Sequence, residues 1–274
     1  MTTTPFVFRL ALAVTLLNAL ALAKQTPPAE ASQEAAEKLL AEVDARIYYP
    51  RLEGLKDVSF RWQLGGTGSL EDLGQVWLAY AWKSPGKLRM QYVDVAGKPL
   101  TALPAVAQTK QGQQMFKQQE GLTHSMAQTL VIGLPLSHIY RDYYKELKSL
   151  EVNNKIEYRI IMRPKSKKAY TRIVIKIISG LPREFVKTNS QGAQVISRFR
   201  FKKRKAKWIP SGMKVEQNSQ TIMDEEYHYV IKKGIHVLQS IERASFRAGN
   251  RKTTIKLAHL RVNADIPDAF FEGK

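Results

Sequence analysis

The side chains that most often do chemistry occur in this sequence without the spacings that catalysis or metal binding requires. The five histidines form no H-x-x-x-H or H-E-x-x-H pattern, so a zinc site has no support in the sequence. The absence of cysteine excludes thiol catalysis and cysteine-ligated metals. Neither a G-x-S-x-G elbow nor a phosphate-binding glycine loop is present. We therefore expect no enzyme activity, no metal and no cofactor.

The densest acidic cluster is Asp224-Glu225-Glu226. The segment around it alternates like a strand, and neighbouring residues of a strand point to opposite faces. The three carboxylates are therefore not expected to converge, and we interpret them as solvated.

Basic residues are the more distinctive feature. In Arg198-Phe199-Arg200-Phe201 the arginines share one strand face and the rings share the other, and the run that follows predicts a hairpin tip in solvent. A second basic cluster coincides with another predicted hairpin turn. If the two hairpins open on the same edge, they form one cationic rim. The residues of this predicted basic rim are Arg163, Lys165, Lys167, Lys168, Arg198, Arg200, Lys202, Lys203, Arg204, Lys205 and Lys207.

The net charge of +19 is concentrated in one half of the chain, since residues 151–274 carry 27 Lys and Arg against 11 Asp and Glu. Such asymmetry bears on partners rather than on fold. One candidate partner is an anionic membrane surface, to which each nearby basic residue adds about 1 kcal/mol of binding free energy. The alternative is that the basic face is only solvated and has no partner. Phe199, Phe201 and Trp208 could instead stack on nucleic acid, but no nucleic-acid-binding motif accompanies them, so we expect no nucleic acid.

The N-terminus has the features of an export signal. Arg9 precedes a 14-residue apolar run that ends in Ala21-Leu22-Ala23, the small-x-small pattern of signal peptidase sites. We predict a signal peptide over 1–23, cleaved near Ala23, a flexible tether over 24–31, a single domain over 32–274 and a periplasmic location. Because the chain has no cysteine to acylate, we expect the processed protein to be released.

The periodicity of apolar residues predicts a few helices and many strands. A helix capped by Ser32 should end near Tyr49-Pro50, and helices are predicted near 123–132 and 137–148. The segment 104–120 is ambiguous, with a hairpin centred on Gly112 as one interpretation. Strands are predicted at 54–64, 74–83, 87–95, 150–163, 169–178, 182–188, 193–203, 208–218, 223–232, 236–247 and 252–262.

Strands without intervening helices indicate an antiparallel meander, and so many strands must curl to stay compact. The predicted fold class is mainly β (α+β). It consists of a single strongly curved antiparallel sheet, a half-open barrel, with an N-terminal helix and a short helical lid on the concave side.

Three local patterns resemble the LolA/LolB-like superfamily of periplasmic lipoprotein carriers. The first is the helix that leads through Ile47-Tyr48-Tyr49 into a strand. The second is a G-x-x-W strand from Gly74 to Trp77, followed by a turn at Ser84-Pro85-Gly86. The third is the closing Pro267-x-x-Phe270. The family's arginine before the turn proline is replaced here by Ser84, so the chain resembles a divergent member.

The resemblance implies an apolar cavity under a helical lid that receives acyl chains without catalysis. The candidate lining residues are Trp62, Trp77, Leu88, Met90, Tyr92, Met126, Leu130, Val131, Leu134 and Ile139. A sealed apolar core made of the same residues is the alternative.

The leading hypothesis is a periplasmic, monomeric, non-enzymatic carrier that binds acyl chains of a lipoprotein or lipid and docks on anionic membranes through its basic rim. An inner- or outer-membrane protein is a further candidate partner. Two alternatives remain open: an envelope-stress sensor that binds the periplasmic segment of a membrane protein, and an envelope scaffold without a ligand.

Overall fold

The computed structural model describes residues 30–63, 76–152, 155–246 and 251–272. The predicted signal peptide, most of the predicted tether, and Gly74 and Gln75 of the second motif lie outside these residues. Helix α1 spans Glu30–Arg46 and thus begins two residues before Ser32. The Ser32 hydroxyl accepts a hydrogen bond from the backbone N–H of Leu147 at 3.1 Å, so it ties α1 to the sheet rather than capping the helix.

Three consecutive strands and the last strand of the chain form a small antiparallel sheet. These strands are β1 (Asp57–Gln63), β2 (Trp77–Lys83), β3 (Lys87–Val93) and β13 (Ala258–Val262), in the order β13-β1-β2-β3. Alternation places Phe60, Leu78 and Tyr80 on one buried face. This inner face is the floor of the candidate site.

The remaining strands form a nine-stranded antiparallel meander in the order β12 to β4. They are β4 (Tyr143–Val152), β5 (Lys155–Pro164), β6 (Tyr170–Ile178), β7 (Leu181–Asn189), β8 (Gln194–Arg204), β9 (Lys207–Gln217), β10 (Gln220–Lys232), β11 (Ile235–Ser245) and β12 (Arg251–Lys256). One face packs on α1, where Ala36, Leu40 and Val43 meet Ile160 and Ile175. The mainly antiparallel β class and the meander are therefore confirmed.

The prediction of a single sheet is wrong, because the strands divide into two hydrogen-bonded sheets. The division occurs at Leu257, whose N–H still donates to Gln239 of β11 at 2.9 Å. Beyond it the chain pairs with β1 instead, as β13. His259, with a φ of 52°, adopts a left-handed conformation within this segment. One continuous segment therefore serves both sheets, and sequence alternation alone does not reveal such a break.

The helices between the sheets differ from those predicted. Helix α2 (Ala105–Gln108) and helix α3 (Lys110–Met126) replace the suggested hairpin at Gly112, whose N–H donates instead to the capping hydroxyl of Thr109 at 3.0 Å. A π-helical segment (Ala127–Ile132) follows, then the short α4 (Leu136–Ile139). The predicted helix over 137–148 is wrong, because β4 begins at Tyr143. Within the described ranges, no helix is both long and apolar enough to cross a bilayer.

Candidate functional site

The inner face of the small sheet gathers most of the predicted lining residues beneath the helices. Register pairs Trp62 with Leu78, Leu78 with Tyr92, and Tyr80 with Met90, so these side chains share one face. The π-helical segment contributes its buried Leu130 and Val131 to the same apolar cluster. The predicted residues found together there are Trp62, Leu88, Met90, Tyr92, Met126, Leu130, Val131 and Leu134.

Two predicted lining residues lie elsewhere. Trp77 precedes the buried Leu78, so strand alternation directs it to the outer face of the small sheet. Ile139 packs on the second apolar cluster, between α1 and the nine-stranded sheet. The resemblance implies a lining position for Trp77 and a lid position for Ile139, but the sequence alone does not specify which face of β2 is buried or which cluster the end of a helix joins.

Helix α3 covers this face through one stripe of residues four apart. The ring of Phe116 lies 5.1 Å from that of Tyr92 in an edge-to-face contact. The Tyr92 hydroxyl donates to a Glu120 carboxylate oxygen at 2.7 Å. The ring of His124 lies 6.3 Å from that of Tyr80. We call α3 and the π-helical segment the helical cover; its apolar underside includes the half-buried Met126.

Three buried polar atoms under the helical cover have no hydrogen-bond partner among the described residues: Tyr80 Oη, Thr123 Oγ1 and His124 Nδ1. Tyr80 and Thr123 are 1% and 0% exposed. Burial raises the pKa of Tyr80 and lowers that of His124, which favours the neutral form of each near pH 7. A buried polar group without a partner costs about 1–3 kcal/mol, so this place favours a ligand that brings its own polar group.

The acidic cluster is divided between the two faces of β10, as strand alternation predicts, but its interpretation as solvated is wrong for Glu225. That carboxylate is 4% exposed and accepts from Arg243 Nε at 2.7 Å and from the Tyr227 hydroxyl at 2.9 Å. Asp224 pairs with Arg200 at 2.8 Å. Sequence reasoning missed the burial because Arg243 is distant in the chain.

Among the residues that the structure describes, one group of side chains could hold a metal ion: Glu226, His228 and Glu242, whose candidate ligand atoms all lie within 4.8 Å of one another. Glu226 and His228 are two residues apart on β10, and Glu242 is the direct partner of Glu226 on β11. The signal missed in the sequence is this register, because a histidine-pair pattern does not describe ligands on adjacent strands. The group is largely exposed, and we assign it no function.

The predicted basic rim does not form one edge. In an antiparallel meander, successive turns lie alternately at the two ends of the strands, and these ends form two opposite edges of the sheet. The β5–β6 turn near Lys167 and the β8–β9 turn near Lys205 are three turns apart, so they lie at opposite ends. The two basic clusters are therefore separate surfaces.

Four residues of the predicted rim are paired with carboxylates. Arg198 pairs with Glu184 and Glu216, Arg200 with Asp224, Arg163 with Glu146, and Lys207 with Glu53. The remaining seven have no carboxylate partner in the described part of the chain. They are Lys165, Lys167 and Lys168 at one edge, and Lys202, Lys203, Arg204 and Lys205 at the other.

Comparison with known proteins gives no sequence match but does give a structural similarity. No protein-family model matches the sequence, and no curated protein matches it. A solved structure of a LolA superfamily protein from Nitrosomonas europaea is similar over 86% of this chain and 96% of that chain, with 11% sequence identity and a TM-score of 0.39. At this distance the similarity assigns no role to any individual side chain.

Proposed function

We propose that this protein is a non-enzymatic carrier that binds acyl chains of a lipoprotein or lipid between the inner face of the small sheet and the helical cover. One observation supports this most: half-buried apolar side chains lie beside three buried polar atoms that have no partner in the described residues. Each methylene removed from water contributes about 0.8 kcal/mol, so apolar burial supplies affinity without chemistry. Tyr80, Thr123 and His124 would receive the polar end of the ligand.

The cellular setting belongs to the same proposal. A monomeric carrier over 32–274, released into the periplasm after cleavage near Ala23, has acyl chains available from both membranes. The proposal includes no metal or cofactor, and a membrane protein of either membrane would donate or receive the cargo.

Lipid binding can be tested on the protein purified from its native compartment. We expect native mass spectrometry to show co-purified lipid or lipoprotein, and the delipidated protein to take up a fluorescent fatty acid. Met90→Gln should weaken uptake about tenfold, because the unpaired amide of the glutamine would be buried against the bound acyl chain at a cost of about 1–3 kcal/mol. Trp77→Gln, on the opposite face of the adjacent strand, is the matched control and should bind as wild type. A lipid-free protein that takes up no fatty acid would exclude the carrier.

Docking would involve the β8–β9 tip, defined as Lys202, Lys203, Arg204 and Lys205. The neighbouring β10–β11 turn opens on the same edge, and there Ile231 is 61% exposed. The tip lies close enough to His236 to affect its charge. Burial lowers the pKa of His236 most, and the positive charges of Arg204, Lys205 and Lys202 lower it further. Cations around an exposed aliphatic side chain suit an anionic membrane surface.

Reversing the four residues of the β8–β9 tip to glutamate should abolish sedimentation with phosphatidylglycerol vesicles. At about 1 kcal/mol for each cation, the loss exceeds a hundredfold in partitioning. Glutamate at Lys165, Lys167 and Lys168, on the opposite edge, should leave most of the binding intact. Sedimentation that survives tip reversal would contradict this docking surface.

A further inference from the structure

The outer face of the small sheet, opposite the proposed acyl site, carries a cavity of about 200 Å³, which we call the outer pocket. The small side chains of Ser59, Ala79 and Ala81 form the floor of this pocket. Register places Arg261, Ser59, Ala81 and Arg89 in one row across the four strands, all on this face. Two arginines therefore stand at opposite ends of a row whose centre is small.

The C-terminal segment forms one wall of this outer pocket. Lys83 Nζ donates to the Ile266 carbonyl at 2.8 Å, and Asp268 pairs with Lys83 and Lys87, both at 2.7 Å. Hydrogen bonds from these two lysines lower the pKa of Asp268 to about 2. Further along this segment, the Phe270 ring lies 4.8 Å from the Arg89 guanidinium, and the Phe270 backbone carbonyl accepts a hydrogen bond from the same guanidinium.

A third guanidinium comes from Arg61, which packs directly on Gly97. A Cβ at Gly97 would meet the Arg61 side chain at 1.8 Å, and the φ of 88° there also disfavours other residues. The Arg61 guanidinium also donates to the Val95 carbonyl at 3.4 Å. Gly97 therefore leaves room for the Arg61 guanidinium at the rim of the pocket, and the Val95 carbonyl accepts a hydrogen bond from it.

The charges around the outer pocket are unbalanced. Three arginines and His259 line it, and none of its described lining residues carries a carboxylate. The acids nearby on this face are engaged elsewhere: Asp57 accepts from the N–H groups of Ala264 and Asp265, and Asp268 holds its two lysines. Like charges that line one cavity repel one another, and an anion bound between them offsets this repulsion.

We propose that the outer pocket binds a phosphate group, either of a soluble phosphate ester or of a lipid headgroup. A guanidinium presents paired N–H donors that match phosphate oxygens, and such charge-assisted hydrogen bonds are roughly twice as strong as neutral ones. The Ser59 hydroxyl and the Gln91 amide add neutral donors, and Phe270 offers an apolar surface to the substituent. This site is independent of the acyl site, since the two lie on opposite faces of one sheet.

The test titrates the purified protein with inorganic phosphate and glycerol phosphate, and separately with phosphatidylglycerol vesicles. We expect saturable amide chemical-shift changes at Ser59, Ala79, Ala81 and Arg261. Arg261→Gln should weaken binding about tenfold, while Arg261→Lys, which keeps the charge but loses the paired donors, should fall in between. Arg251→Gln removes an exposed arginine from an edge strand of the other sheet and is the matched control.

The arms of the experiment separate the two sources of phosphate. Saturable binding of the soluble phosphates that depends on Arg261 supports the site, as does vesicle binding alone with the same dependence, which then identifies a lipid headgroup. Shifts spread over the basic surface, or equal losses in Arg261→Gln and Arg251→Gln, would overturn it, because net charge alone would explain them. Fatty-acid uptake measured in parallel reports on the inner face and is expected to be unchanged in Arg261→Gln.

Discussion

Replacing Asp44 by alanine should lower the free energy of unfolding by about 3–5 kcal/mol, a large part of the 5–15 kcal/mol typical of a domain. The Asp44 carboxylate is 7% exposed and accepts three hydrogen bonds: from the Tyr49 hydroxyl at 2.6 Å, from Leu136 N–H at 2.9 Å and from Ser137 N–H at 3.0 Å. Alanine leaves all three donors without this acceptor, and each costs about 1–3 kcal/mol if it finds no other. The shift in urea midpoint, followed by tryptophan fluorescence, measures the loss.

We expect the loss of these hydrogen bonds to affect the candidate site as well, because Asp44 joins α1 to the segment that follows the helical cover after Gly133. Asp44→Asn keeps one acceptor oxygen and should lose roughly half as much stability. Asp142→Ala is the matched control: its carboxylate is exposed and lies 3.7 Å from the exposed Arg141, a surface pair worth about 0–1 kcal/mol. A midpoint for Asp44→Ala that equals that of Asp142→Ala would contradict the role given to these hydrogen bonds.

The strands from β6 to β11 could be predicted closely because turn residues bracket alternating segments, whereas the predicted strand 150–163 merges the end of β4 with β5. Gly180 and Lys233-Gly234, for example, all have positive φ where two strands join. The predicted helix over 137–148 overlaps the first part of β4, where Tyr143 and Leu147 lie four residues apart, as on one face of a helix. The helix at 110–126 was hidden by Gly112 and a run of glutamines, whose weak periodicity does not separate helix from hairpin.

The candidate site shows where sequence reasoning stops. Alternation on β3 put Leu88, Met90 and Tyr92 on one face, which the register confirms. The face of β2 was misassigned at Trp77, since only the partner strand shows that Leu78 is opposite Tyr92. The outer pocket was beyond reach for the same reason. Arg89 and Arg261 are far apart in sequence, and they share a row only because β13 returns to pair with β1.

The second large effect is expected from fixing the helical cover in place. The chain has no cysteine, so a pair introduced at Tyr92 and Glu120 can be joined selectively by a short, reducible thiol crosslinker. These two side chains meet at 2.7 Å across the interface between α3 and the small sheet. If acyl chains enter by displacing α3, the crosslinked protein should take up a fluorescent fatty acid at less than about a tenth of the uncrosslinked rate, and reduction should restore uptake.

Comparison within the same variant matters because removing the Tyr92 hydroxyl and the Glu120 carboxylate already weakens the interface. Loading the ligand before crosslinking supplies the converse measurement, in which dissociation should slow to a similar extent. A pair at Glu242 and Thr254, direct partners on two strands that already hydrogen-bond, is the matched control, since a crosslink there adds no new restraint between elements. Uptake and release that are equal before and after joining Tyr92→Cys to Glu120→Cys would mean that the ligand enters without displacing α3. A sealed core would instead show no uptake in either state.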